Sequence, residues 1–249
     1  QKKMNNIKLN EIKFMIESFS IKEEKFINEI YYLNLGVSFN RKKIFKFLEN
    51  KNIFPSIPIK NTLFYLPIMI EENKKDLFIF SNNEIFKEWN SFRENHYLID
   101  YVLPTEDLED LEIIKKKYEF LEQYDFKEII NKYYLNDAII SLIFKNKNKI
   151  RVLSRISIKN DVLLKNRSFE GLDLNNTIHI EKIIKDLKND FEDHWKTINQ
   201  INTSIKLPLR IKVKSSNEKK IFIFENILEE TDLIYDFFIS KFDNEYIIY

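Results

Sequence analysis

The sequence predicts a mixed α/β fold in which helices are layered on mixed β-sheets, with a small C-terminal βαββ unit. Two observations carry this prediction. Apolar residues recur every 3.6 positions in some segments and at every second position in others, and the two kinds of segment alternate along the chain. The 249 residues also include 14% aromatic side chains, which can fill a sizeable core without disulfides or metals.

Residues 1–55 are predicted to form an N-terminal strand and helix segment. The spacing of Ile12, Ile16 and Phe19 predicts a short helix, and the alternation from Tyr32 to Phe39 predicts a half-buried strand. Asn40 is the expected N-cap of the helix that follows. Pro55 and Pro58, in the stretch NIFPSIPIKN at 52–61, exclude a helix there and predict a linker.

Residues 62–200 are predicted to form a central α/β domain. A capping box of Ser81 and Glu84 predicts a helix that contains Trp89, and an acidic stretch after Pro104 predicts the start of another. The 3.6-residue repeat from Ile180 to Trp195 predicts the longest helix. The predicted strands are Leu63–Ile70, Leu77–Phe80, Leu98–Leu103, Ala138–Phe144, Ile150–Ile158 and Val162–Phe169.

Residues 204–249 are predicted to form a small C-terminal α+β unit. Its expected elements are a strand (Leu207–Val213), a helix (Glu218–Glu229) and two further strands (Leu233–Phe242 and Tyr246–Tyr249). Because the last strand runs to the final residue, we expect this unit to be truncated.

The composition argues against several classes of function. The 40 basic and 39 acidic residues are interspersed and leave a net charge of +1, whereas nucleic-acid binding needs a continuous basic face. No apolar run approaches the ~18–20 residues of a membrane helix, so no membrane span is predicted in this chain. Two isolated glycines cannot form a phosphate-binding loop. The absence of cysteine excludes thiolate metal sites but does not fix the cellular compartment.

The stretch LPTEDLEDLE, residues 103–112, is the strongest candidate for a ligand site. Asp107 and Asp110 are three positions apart and would share one face of a helix, so that with Glu109 they could bind a hard cation such as Mg²⁺ or Ca²⁺. The alternative is a helix N-terminus, where carboxylates are favoured by the helix dipole and by free N–H groups. A ligand site predicts that the carboxylates converge on an open pocket, and a helix start predicts that they accept backbone N–H bonds or point into water.

No catalytic residue and no cofactor is predicted. His179 and His194 are fifteen positions apart on one predicted helix, a rise of ~22 Å that excludes a shared metal ion. His96 is expected at a helix C-terminus. The sequence lacks the G-x-S-x-G motif of a serine nucleophile on a tight turn. A non-enzymatic protein is therefore favoured.

Four segments resemble a bacterial envelope family of uncharacterised role, the domain of unknown function 2066. They are IESFSIKEEKFINEIYYLNLGVSFNRKKIFKFL, LPIMI with SNNEIFKEW, LPTEDLEDL, and INKYYLNDAIISLI. The third matches the family's signature L-P-x-x-D-L-x-D at Asp107, Leu108 and Asp110. The resemblance covers residues 15–200, and the sequence departs from it in having few glycines and alanines.

The resemblance implies an exported protein with a cleaved signal peptide, and hence a periplasmic location. It carries over no catalytic residue. The leading hypothesis is a non-enzymatic periplasmic scaffold or binding protein whose partner is another envelope protein, with no nucleic acid bound. The alternative is the divalent-cation or small-ligand site at Asp107, Glu109 and Asp110, with weak hydrolytic chemistry. An intracellular nucleic-acid binder is the third reading.

Overall fold

A computed structural model describes residues 7–74, 76–146, 149–159, 161–203, 205–214, 218–231, 234–242 and 245–248. The chain divides into two compact units, one formed by 58–199 and the other by 1–57 together with 200–249. Among the described residues, no helix combines the length and the apolar character needed to cross a membrane. The predicted division into 1–55, 62–200 and 204–249 stays a prediction.

The described helices and strands alternate along much of the chain. The helices are α1 (Leu9–Met15), α2 (Arg41–Asn50), α3 (Glu84–Glu88), α4 (Leu108–Lys116), α5 (Lys127–Asn131), α6 (Thr177–Ile198) and α7 (Glu218–Glu230). The strands are β1 (Ile16–Ile27), β2 (Ile30–Phe39), β3 (Asn61–Glu71), β4 (Asp76–Phe78), β5 (Ile99–Val102), β6 (Ala138–Asn146), β7 (Lys149–Ile158), β8 (Asp161–Glu170), β9 (Ile211–Lys214), β10 (Ile239–Phe242) and β11 (Glu245–Ile248). The predicted α/β class, with mixed sheets and a C-terminal βαββ unit, is confirmed.

The unit 58–199 is built on one six-stranded mixed sheet. Its order is β4-β3-β6-β7-β8, and β5 pairs with the first residues of β3 on the same side as β4. β3 is parallel to both β5 and β6, whereas the other pairings are antiparallel. Because β3 is covered on both faces, all eight residues from Leu63 to Ile70 are buried. This explains why its sequence is a continuous apolar run rather than an alternating one.

Helices pack on both faces of this sheet. On one face, α3 and the apolar stripe of α6 cover Tyr65, Ile139 and Val152 in one hydrophobic cluster. On the other face, α4 and α5 contribute Ile114 and Ile129 to a second cluster. The long helix α6 begins at the N-cap Asn176, whose side chain accepts the N–H of Ile178.

The second unit contains two small sheets. β1 and β2 form a two-stranded antiparallel hairpin, which turns at Asn28 and Glu29, both in the left-handed region with φ of 52° and 64°. Positive φ at both turn residues suits the right-handed twist of a two-residue hairpin. The βαββ unit forms a sheet of order β10-β11-β9, with α7 between β9 and β10 in the chain. The expected linker after α2 has no helix.

Three details of the sequence prediction are wrong. Helix α1 ends at Met15, so Ile16 and Phe19 belong to strand β1 and not to the predicted helix. The N-cap of α3 is Asn83 instead of Ser81, because the Asn83 side chain accepts the N–H groups of Ile85 and Phe86. The strand at Tyr32–Phe39 exists but is largely exposed rather than half-buried.

The C-terminal strands begin later than predicted. Residues 207–210 are irregular, and β9 starts only at Ile211. The first regular residue of β10 is Ile239, while the predicted start at Leu233 lies outside the described residues, as does the predicted last residue Tyr249. The apolar runs in this part of the sequence therefore predict that the strands exist, but they do not predict the residues at which the strands begin.

Candidate functional sites

The acidic stretch forms the start of helix α4. Asp107 is the N-cap, and its Oδ1 accepts the backbone N–H of Glu109 at 2.8 Å. Asp110 lies one turn into the helix with 1% of its surface exposed, while the side chain of Glu109 is exposed. The structure thus brings Asp107 and Asp110 to one side of the helix and leaves Glu109 on another. The hydrogen bond from the Glu109 N–H to Asp107 is the kind that a helix N-terminus predicts.

A lysine lies between the two aspartates. The Lys132 ammonium, directly after α5, is 2.9 Å from Asp107 Oδ2 and 2.8 Å from Asp110 Oδ1. These hydrogen bonds raise the pKa of Lys132, and the bond from Lys132 is the largest cause that lowers the pKa of Asp107. The ammonium occupies the position that a cation shared by these carboxylates would take. In sequence nothing marks Lys132 as their partner, since it follows Asp110 by 22 positions.

Within the described ranges, no group of three or more His, Cys, Asp or Glu side chains could hold a metal ion. A surface cleft of about 710 Å³ lies elsewhere, lined by Glu84, Lys87, Lys115 and Tyr118 among others, and none of the three predicted acidic residues lines it. The divalent-cation site stays a prediction, and its test is given in the Discussion.

Helix α6 carries a buried ionisable pair that sequence reasoning missed. Lys188 and Glu192 are 3% and 2% exposed, although both lie in the apolar stripe of the helix. The Lys188 ammonium donates to the carbonyl oxygens of Trp89 and Phe92, both at 2.6 Å. Glu192 Oε1 accepts the backbone N–H groups of Leu98 and Ile99 at 2.7 and 2.8 Å. The pair therefore holds the chain between α3 and β5 against α6.

Aromatic rings surround the Lys188 ammonium. Its Nζ lies 5.1 Å from the ring centroid of Trp89 and 5.3 Å from that of Tyr101, and Tyr65 stacks on Trp89 at 3.8 Å. Burial lowers the pKa of Lys188 to about 8, with Arg93 as a smaller cause in the same direction and Glu192 opposing it. Burial also raises the pKa of Tyr65 and Tyr101.

This cluster is closed to solutes. Four of its polar atoms are buried without a hydrogen-bond partner among the described residues: Tyr65 Oη, Trp89 Nε1, Tyr101 Oη and Glu192 Oε2. Glu192 Oε2 lies 3.4 Å from Lys196 Nζ, which compensates its charge. Lys188 and Glu192 have almost no accessible surface, and their hydrogen bonds position the backbone segments that they contact.

The β1–β2 hairpin has one polar and one apolar face. The register pairs Phe19 with Val37 and Ile21 with Leu35, and a bulge at Lys22 shifts the alternation so that Glu24 pairs with Leu33. Paired residues in an antiparallel ladder point to the same side. We call this side the apolar ribbon face, and its members are Phe19, Ile21, Phe26, Tyr31, Leu33, Leu35 and Val37.

The apolar ribbon face is exposed. Its members retain between 42% and 71% of their accessible surface. Glu24 is the one ionisable carboxylate on this side, and it accepts a hydrogen bond from the Tyr31 hydroxyl, which raises the pKa of Tyr31. The opposite side carries Ser18, Ser20, Asn34 and Ser38, and nearer the turn it also carries Ile27, Ile30 and Tyr32. The alternation of a half-buried strand is therefore present, but no described residue covers the strand's apolar side.

No family model, no curated protein and no solved structure matches this chain. The resemblance to the domain of unknown function 2066 consequently stays a prediction. The function has to be argued from the geometry of the described residues.

Proposed function

We propose that the protein is a non-enzymatic binding or scaffold component of the bacterial cell envelope, and that it binds protein through the apolar ribbon face. The observation that carries the proposal is the size of this face. Aromatic side chains offer roughly 150–250 Å² each and the aliphatic members offer less, so the exposed fractions together leave on the order of 700 Å² of surface. Monomeric soluble proteins seldom expose more than a few hundred Å² of contiguous apolar surface.

The chemistry of the face favours a protein over a small ligand. The face is a flat, two-stranded surface, whereas small molecules bind in concave pockets that enclose most of the ligand. Its side chains include Phe19, Phe26 and Tyr31, and aromatic residues are enriched at protein interfaces. The periplasmic location is supported by the family resemblance alone.

Site-specific photocrosslinking in the bacterium that encodes the chain tests this proposal. A benzophenone amino acid replaces Phe19 on the apolar ribbon face or Ser20 on the opposite face of the same strand. We expect ultraviolet light to give a protein adduct from position 19 and little adduct from position 20. Fractionation of the same cells is expected to place the chain in the periplasm. Equal adducts at both positions, or none at either, would contradict the proposal.

A further inference from the structure

The apolar ribbon face is chemically complementary to itself. Seven apolar or aromatic side chains form it, and its one carboxylate, Glu24, is already bonded by Tyr31. A partner that covers this face must bring an apolar surface and leave the Glu24 carboxylate with its hydrogen bond from Tyr31. A second copy of the same face meets both requirements. In a two-fold dimer the same patch serves on both subunits.

The exposed area fits one partner's share of a stable dimer. The face offers on the order of 700 Å², and standard specific interfaces bury about 800 Å² on each side. The net charge of +1 gives little repulsion between copies. Area and charge are thus both suited to self-association.

The hairpin itself lacks a supporting layer. Among the described strands, β1 and β2 pair only with each other. A lone two-stranded hairpin is marginally stable in water and gains stability when its apolar face packs against another element. Two hairpins packed face to face would form a small sandwich with sheets about 10 Å apart.

We propose that two copies of this chain form a homodimer by packing their apolar ribbon faces together. The inference rests on the proposed function, since it identifies the protein that covers the same face. The experiment separates this homodimer from two alternatives. In the first a different protein covers the face, and in the second two copies pair along the free edges of β1 and β2.

Sedimentation velocity of the purified full chain, from low micromolar to about 100 µM, tests the dimer. Two matched double variants are compared with wild type: Phe19→Lys/Val37→Glu on the apolar ribbon face, and Ser18→Lys/Ser38→Glu on the opposite face. Each pair is directly cross-strand, so each variant adds one opposite-charge pair and leaves the net charge unchanged. Amide hydrogen exchange of β1 and β2 reports whether the hairpin is retained.

We expect wild type and the Ser18/Ser38 variant to dimerise, and the Phe19/Val37 variant to dimerise at least about a hundredfold more weakly, because two large apolar contacts are lost. Should the latter lose the hairpin, hydroxyl-radical footprinting of wild type decides instead. Oxidation of Phe19, Phe26 and Tyr31 should then fall as the protein concentration rises, while that of Tyr32 should not.

Three outcomes would overturn the homodimer. A wild-type monomer at every concentration excludes it. Dimers of equal strength in both variants indicate edge pairing or another surface. A monomer whose position 19 crosslinks a different protein in cells leaves the proposed function standing without the second copy, whereas a monomer with no adduct at position 19 removes both.

Discussion

The buried ammonium of Lys188 makes a testable prediction about the pH dependence of stability. Burial lowers its pKa from 10.5 to about 8 in the folded chain. Between these values the unfolded chain binds more protons than the folded one, so the free energy of unfolding rises with pH across this window. Below pH 8 both states are protonated, and this contribution to the slope vanishes.

The size of the effect follows from the two pKa values. The pKa of Lys188 is 10.5 in the unfolded chain and about 8 in the folded chain. This difference changes the free energy of unfolding by roughly 3 kcal/mol across the whole window. Between pH 7 and pH 9.5 the expected increase is about 2 kcal/mol. The charged groups that act on Lys188 are Arg93, which lowers its pKa further, and Glu192, which opposes the lowering.

The variant Lys188→Met isolates this contribution, because methionine has a similar length and no charge. We expect wild type to gain about 2 kcal/mol relative to the variant between pH 7 and pH 9.5. Urea unfolding followed by tryptophan fluorescence measures it. The sequence has two tryptophans, Trp89 and Trp195, and both lie in the unit 58–199, so the signal reports that unit.

A second lysine on the same helix provides the control. Lys185 is exposed and pairs with Glu94 at 2.7 Å, which raises its pKa. A raised pKa gives stability that is lost only above the ordinary value of 10.5, so Lys185→Met should leave the pH 7–9.5 slope as in wild type. Parallel stability curves for wild type and Lys188→Met would refute the argument, because they would mean that the Lys188 ammonium is hydrated in the folded chain.

Two further predictions concern the acidic stretch and the N-cap of α3. Because Lys132 lies between Asp107 and Asp110, excess Ca²⁺, Mg²⁺ or Mn²⁺ and EDTA should leave the melting temperature of wild type unchanged. A cation that binds, at a hundred times its Kd, would instead add about 2.7 kcal/mol to the free energy of unfolding. If the double variant Asp107→Asn/Asp110→Asn lost this stabilisation, the predicted metal site would be established. Asn83→Ala should lower the free energy of unfolding by about 2–3 kcal/mol, since it removes the cap and leaves the carbonyl of Pro67 unpaired. Ser81→Ala should cost no more than about 0.5 kcal/mol, and equal losses would contradict the assignment of Asn83 as the cap.

The secondary structure of the central unit was readable because its periodicity comes from burial. Strand β3 is covered on both faces and reads as one apolar run, and the buried side of α6 repeats at helical spacing. The cap of α3 was misread because two candidates lie two positions apart. Ser81 with Glu84 satisfies the local pattern of a capping box, but Asn83 also reaches the carbonyl of Pro67 on β3. That tertiary bond has no trace in the local sequence.

The candidate sites depend on contacts that local patterns do not contain. The acidic residues around Asp107 were found, but their partner Lys132 was not, because the two lie on different helices. Lys188 and Glu192 are separated by one turn and resemble an ordinary surface pair. Their partners are backbone groups more than 90 positions away, at Phe92 and Leu98. Only the packing of α6 against that segment turns a surface pattern into a buried one.

The hairpin shows what an alternating pattern does and does not establish. β2 alternates as a half-buried strand should, yet the whole of it lies at the surface apart from Gly36. The bulge at Lys22 keeps the apolar residues of β1 in phase with those of β2, which would have no benefit on a surface meant for water. Alternation therefore reports a face that has to be covered, without saying by what. The described part of the chain leaves this face open, and this observation is the basis of the proposed homodimer. Measuring the mass of the purified protein is the direct test of whether a second copy covers the face.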